Sequence, residues 1–245
     1  MRKIVFTLLI FVLVCSTSGS LFSPVKGIMG NAVILSSLDS TMPFNYYGLS
    51  TEKYLQSMGY TVTMLKNQQV TLDLITSGLS SYNIIIWRTD DYTYAHRMFW
   101  YAGEHANQHT LAKYEADVSS NLIDVHAGIL GLSLDFFQKY LTSQSLRNVK
   151  LMILLSSDSN SIAPIFISAG AAAVIYCMSQ ISLQFGIVDD LATQIVAYLS
   201  QGDSVLNALW TTISPYLQNQ TPEDPLDSTY SPPFWYLGNG NLTLT

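Results

Sequence analysis

Two segments of this chain are apolar on nearly every consecutive residue, and that pattern limits what the chain can fold into. Tyr82-Asn-Ile-Ile-Ile-Trp87 and Val149-Lys-Leu-Met-Ile-Leu-Leu155 have the length of strands and fall short of an ordinary helix. A strand apolar on both sides must be covered on both sides, which is the condition of a central strand in a parallel α/β sheet. The segments around them alternate in the same way. Asn31–Leu38, Thr61–Leu65 and Ala172–Tyr176 read as further strands. Helical spacing runs through Tyr46–Met58, Thr71–Leu79, Ser133–Leu141, Ile162–Ser168, Ile187–Leu199 and Ser204–Leu217. Thr71 stands where an N-cap is expected, and Gly59 and Gly170 stand where helices stop.

Right-handed crossovers between such strands place helices on both faces. The expected fold class is therefore α/β, a three-layer sandwich around a mostly parallel sheet of about six strands. A polar and aromatic stretch from Arg88 to Asn121 interrupts the alternation and reads as an insertion or lid, with Asn121–His126 a short strand after it. Leu242–Leu244 reads as a last strand, after Phe234-Trp-Tyr-Leu237. Residues 28–245 are expected to form one domain. Hydrophobic residues are 49% of the 245, and charged ones only 11%. A chain so apolar can bury enough surface to offset the entropy of ordering itself.

Met1 to Ser20 has the form of a signal peptide. Arg2-Lys3 is followed by the apolar run Ile4–Val14 and then by Ser16-Thr-Ser-Gly-Ser20, the small residues that cleavage requires. An apolar run of this length is too short to span a bilayer core of about 30 Å as a helix. Cys15 is preceded by Val14, where lipidation expects a small residue, so a lipoprotein is not the reading. The expected location is secreted or extracytoplasmic, with no stable membrane span once the leader is removed.

Cleavage would leave Cys177 as the one cysteine, in the apolar run Ala171–Cys177, so it reads as a buried small hydrophobe. The formal net charge of −6 becomes −8 when Arg2 and Lys3 leave, and no basic run exists. A nucleic-acid partner is excluded on that ground. No Gly-x-Gly-x-x-Gly follows the first strand and no Walker-type phosphate loop occurs, which argues against a dinucleotide fold. No cofactor is implied.

The segment Lys150-Leu-Met-Ile-Leu-Leu-Ser-Ser-Asp-Ser159, followed by Ile162–Val174, resembles the second half of the caspase, gingipain and clostripain family. Leu199-Ser-Gln-Gly-Asp-Ser-Val-Leu-Asn-Ala-Leu209 is similar to that family's Gly-x-Ser-Val-x-x-Ala-Leu helix start, and Tyr236–Leu244 to the closing strand of its gingipain-like branch. By element order the resemblance covers about residues 30 to 244; by sequence character it covers about 150 to 210. It implies a cysteine-peptidase fold in which His-Gly follows the third strand and the nucleophilic Cys follows the adjacent fourth. In open α/β sheets such carboxyl ends form the binding crevice.

This chain departs from the pattern at both positions. Asp90-Asp91 stands where His-Gly would, and Ser156 or Ser157 stands at the Cys position. A carboxylate is a poor proton shuttle near neutral pH, and serine without a partnered base is a weak nucleophile. The expectation is a non-catalytic relative with a ligand cleft at Asp90, Asp91, Ser156, Ser157 and Asp158, open to a protein or peptide ligand.

The rival reading is a Ser-dependent or metal-assisted hydrolase at the same cleft. Ser156 or Ser157 would be the nucleophile and His126 the base, with Asp124 close by in sequence. No Gly-x-Ser-x-Gly elbow supports it. His105 and His109, spaced to share a helical face, lack the acid of a zincin motif, and no metal is expected. The aromatic cluster Tyr92, Tyr94, Phe99, Trp100 and Tyr101 reads as a lid packed on the sheet or a recognition surface for a peptide or glycan. Asn219-Gln-Thr221 and Asn241-Leu-Thr243 fit the glycosylation pattern.

Overall fold

The computed structural model describes residues 27–178, 185–217 and 233–245. The expected signal peptide, Cys15 and the Asn219–Thr221 pattern lie outside the described residues. Six strands form the main sheet: β1 (Gly30–Ser36), β2 (Tyr60–Lys66), β3 (Ile84–Arg88), β8 (Leu151–Leu155), β9 (Ala173–Cys177) and β10 (Phe234–Gly238). Their spatial order is β10-β9-β8-β3-β1-β2, parallel throughout except for β10, which runs antiparallel to β9. All five residues of β3, of β8 and of β9 are buried, as their unbroken apolar runs require.

Burial splits by strand parity into two cores. Ile34, Ile84, Ile86, Leu151 and Ile153 face α1 (Asn45–Ser57), α7 (Phe185–Ser200) and α8 (Val205–Leu217). Val33, Leu35, Ile85, Trp87, Met152 and Leu154 face the opposite way, against α2 (Leu72–Thr76), α5 (Leu134–Tyr140) and α6 (Ala163–Ser168). The main sheet is thus flanked by helices on both faces. Thr71 caps α2 as expected, its side chain accepting from Leu74 N at 3.2 Å.

The stretch after β3, where an insertion or lid is expected over about residues 88–121, is built mainly of strands. It is a four-stranded antiparallel sheet, β4 (Asp91–Tyr94), β5 (Arg97–His105), β6 (Ile123–His126) and β7 (Ile129–Ser133), in the order β4-β5-β7-β6. Two short helices, α3 (Gln108–Lys113) and α4 (Glu115–Ser119), bridge its halves. The interruption therefore runs on to Ser133, past the expected end at Asn121. Both hairpins close through two residues with positive φ, Ala95-His96 (47° and 62°) and Ala127-Gly128 (51° and 80°). Positive φ at both loop positions matches the right-handed twist of the flanking strands.

Gly103, in the irregular stretch of β5, has φ of 107°, and a Cβ there would stand 2.5 Å from the Asn67 carbonyl oxygen. Only glycine lets the small sheet come this close to the main one. The expected strand at Leu242–Leu244 is not formed; the closing strand is Phe234–Gly238. Leu244 is instead buried as a plug, its carbonyl accepting from the Tyr60 hydroxyl at 3.3 Å.

Candidate functional site

β3 and β8 are neighbours and end level, with Arg88 opposite Leu155. Thr89 N donates to Leu155 O at 3.0 Å and carries the pairing one step past the strand. The segments after the two strands therefore emerge side by side, bringing Asp90 and Asp91 together with Ser156, Ser157 and Asp158. The five expected cleft residues form one cluster.

Its centre is Asp91. Asp91 Oδ1 accepts from Ser156 Oγ at 2.7 Å, from Ser157 Oγ at 2.5 Å and from the Asp158 backbone N–H at 3.2 Å. Ser156 is buried and Ser157 exposed, so the first hydroxyl depends on Asp91 far more than the second. Asp90 Oδ1 accepts from Asp91 N at 2.9 Å. Burial raises the Asp90 carboxyl above its ordinary range, with the Asp91 charge adding to the effect. Burial and then the Asp91 charge do the same to Asp158. Three carboxyls at neighbouring strand ends repel one another, which disfavours the charged forms of Asp90 and Asp158.

His126 is not part of this cluster. It lies on β6, where its Nδ1 and the Tyr101 hydroxyl share a hydrogen bond at 2.5 Å. Its ring packs on Tyr92 with centroids 4.5 Å apart, and the Tyr92 hydroxyl donates to Asp124 Oδ2 at 3.0 Å. No hydrogen bond joins His126 to Ser156 or Ser157 among the described residues. The serine hydroxyls point to a carboxylate, and the imidazole is engaged by a phenol.

The small sheet fixes this arrangement by strand alternation. Tyr92 and Tyr101 lie on its outer face with Phe99 stacked on Tyr92 at 5.5 Å, whereas Asp91 and its cross-strand partner Trp100 lie on the inner face. Gly131 on β7 makes room for Tyr92 to cross the sheet; a Cβ there would meet the Tyr92 hydroxyl at 2.2 Å. The aromatic cluster is thus divided. Phe99 and Trp100 are buried, Tyr92 and Tyr101 half-buried, and Tyr94 exposed.

His105 ends β5 and His109 sits in α3, so they do not share a helical face as their spacing suggested. Among the described residues no group of three or more His, Cys, Asp or Glu converges as a metal site. Cys177 is buried, and desolvation pushes its thiol up to about 12, so it is inert as a nucleophile at neutral pH. No helix among the described residues is long and apolar enough to cross a membrane.

One polar element of the region was not anticipated. Arg88 closes β3 as a buried side chain, and its Nε donates to Asp189 Oδ1 of α7 at 2.7 Å, both side chains 3% exposed. It also donates to the Met42 carbonyl and lies over the Phe44 ring, 5.3 Å from the centroid. Desolvation pushes the Asp189 carboxyl up to about 6, against the pull of Arg88. The sequence signal was an acidic residue in register with the apolar face of the helix, beside Val188, Leu191 and Ala192.

No family model matches the chain, and comparison with curated proteins gives no match. Among solved structures, it is similar to pyridoxal kinase from Staphylococcus aureus in complex with AMP-PCP. The identity is 12%, over 86% of this chain and 99% of that one, with a TM-score of 0.31. Pyridoxal kinase from Bacillus subtilis in an ADP complex is similar at 11% identity, over 83% and 96%, with a TM-score of 0.27.

Proposed function

We propose that this chain is an exported, caspase-like α/β domain that has lost the catalytic dyad and acts by binding a peptide or protein at the carboxyl ends of β3 and β8. One observation carries the reading: Asp91 accepts hydrogen bonds from both hydroxyls at the nucleophile position. Imidazole takes a hydroxyl proton and returns it near neutral pH; a carboxylate is a far weaker base. Adjacency of the third and fourth parallel strands, which the resemblance implies, supports the same reading. So does Asp90 at the position of the family's histidine. Export rests on the Arg2–Ser20 pattern.

The test is an incubation with peptides carrying Arg, Lys or Asp before the scissile bond. No cleavage above a buffer control is expected. Turnover that disappears in Ser156→Ala or Ser157→Ala would overturn the reading in favour of a serine hydrolase. Mature protein is expected to begin between Gly19 and Leu21, and recovery of exported protein still starting at Met1 would remove the cleaved-leader part.

A further inference from the structure

A cavity of about 310 Å³ lies between β5, the start of α5 and the loop after β8, lined by Arg97, Met98, Trp100, Ser133, Leu134, Asp135 and Ser161. That volume is at the lower end of small-molecule sites, which span about 300–1,000 Å³. Its wall has two chemical parts. Met98, Leu134 and the Trp100 ring supply apolar surface. Trp100 is 1% exposed, and its Nε1–H is buried with no acceptor among the described residues. A buried donor of this kind is uncommon and is costly unless something supplies an acceptor.

The second part is a pair of opposite charges at the rim. Arg97 Nη1 and Asp135 Oδ2 stand 3.7 Å apart, both substantially exposed. A pair at this distance in solvent holds itself together weakly, and the bond from Arg97 Nη1 to the Asn121 carbonyl is long at 3.4 Å and exposed, so either charge can turn to a ligand at little cost. The guanidinium presents a planar fork that suits a carboxylate. Asp135 beside it suits an ammonium group. The two charges cancel, so the rim does not favour a simple anion or a simple cation.

We infer that this cavity binds a free α-amino acid with a large apolar or aromatic side chain. Its carboxylate is held by Arg97, its ammonium by Asp135, and its side chain lies on Met98, Leu134 and Trp100. A zwitterion is the small-molecule class that carries both charges within one short span and an apolar group beside them. The lining residues are distinct from Asp91, Ser156 and Ser157, so binding here is independent of whether the strand ends catalyse.

The test is calorimetric titration of the protein with L-phenylalanine and L-leucine, beside phenylalaninamide, N-acetylphenylalanine and L-glutamate. Saturable binding of L-phenylalanine or L-leucine is expected, at least tenfold tighter than any of the other three. Arg97→Gln should weaken it tenfold or more. Asp135→Asn should weaken the free amino acid and leave the already weak N-acetyl compound unchanged. Both positions are exposed, so circular dichroism and melting temperature should stay at wild-type values. Absence of saturation by both amino acids at millimolar concentration would refute the inference. So would equal binding of N-acetylphenylalanine, or undiminished affinity in Arg97→Gln.

Discussion

Asp91→Ala is the perturbation that best isolates the strand-end cluster, and its cost can be worked from the three donors it would strand. Ser156 is 2% exposed, and a buried hydroxyl left without its acceptor costs about 1–3 kcal/mol. The Asp158 N–H is half-buried and its bond is long at 3.2 Å, worth about 1 kcal/mol. Ser157 is exposed and turns to water, so its 2.5 Å bond contributes close to nothing net. Against these losses, removing the charge relieves a cause of the raised Asp90 and Asp158 carboxyls. The net expectation is a loss of roughly 2 kcal/mol. The assay is equilibrium urea unfolding at pH 7 of wild type, Asp91→Ala, Ser156→Ala, Ser157→Ala and the two double variants. The Asp91–Ser156 coupling should be about 1–2 kcal/mol and the Asp91–Ser157 coupling under about 0.5 kcal/mol. Equal couplings would refute burial as the deciding factor, and an Asp91→Ala loss below about 0.5 kcal/mol would refute Asp91 as the centre of the cluster.

Two further outcomes test the supporting structure. Replacing Ala95-His96 by Asn-Gly should stabilise the fold by roughly 1–2 kcal/mol, because two exposed L-residues there hold positive φ; an unchanged urea midpoint would sink the turn assignment. Asp189 binds its proton more tightly folded than unfolded, its carboxyl moving from 3.8 to about 6. Its contribution to stability should therefore fall as pH rises from about 4 to 6, by up to about 3 kcal/mol. Asp189→Asn should lack that slope, and the difference between the two urea series isolates it from Asp90 and Asp158. A wild-type stability that instead rises over this window relative to the variant would mean that attraction to Arg88 outweighs desolvation.

The main sheet was legible because its signals are redundant. β3 and β8 declare themselves by unbroken apolar runs, and Thr71 and Gly170 mark helix ends through local chemistry that tertiary contacts do not override. Asp90, Ser156 and Ser157 could be paired in advance because adjacent parallel strands deliver their carboxyl ends to one place. The small sheet was not legible. Its turns lack an Asn-Gly pair, and Phe99 and Trp100 are consecutive and both buried, so the period-two alternation of β5 is hidden. Leu242–Leu244 misled for a related reason, since burial of Leu244 looks the same in sequence whether the residue is paired or merely packed. Arg88–Asp189 spans 101 positions, and no local pattern reports a partner at that distance.

The small sheet also explains why the cluster has the composition it does. Thr89 Oγ1 donates to Tyr101 O at 2.7 Å, and Tyr101 N donates to Asp90 O at 3.1 Å, so β5 is tied to the chain just past β3. Pairing of Asp91 with Trp100 then sets which side chains of β4 face inward. A slip of one residue would turn Asp91 outward, turn Tyr92 into the core and leave Ser156 without its acceptor. The two-residue turn at Ala95-His96 opposes that slip, although neither residue favours the backbone it adopts. The position of the Asp91 carboxylate beside Ser156 and Ser157 is therefore maintained by an entire antiparallel sheet rather than by a side chain alone.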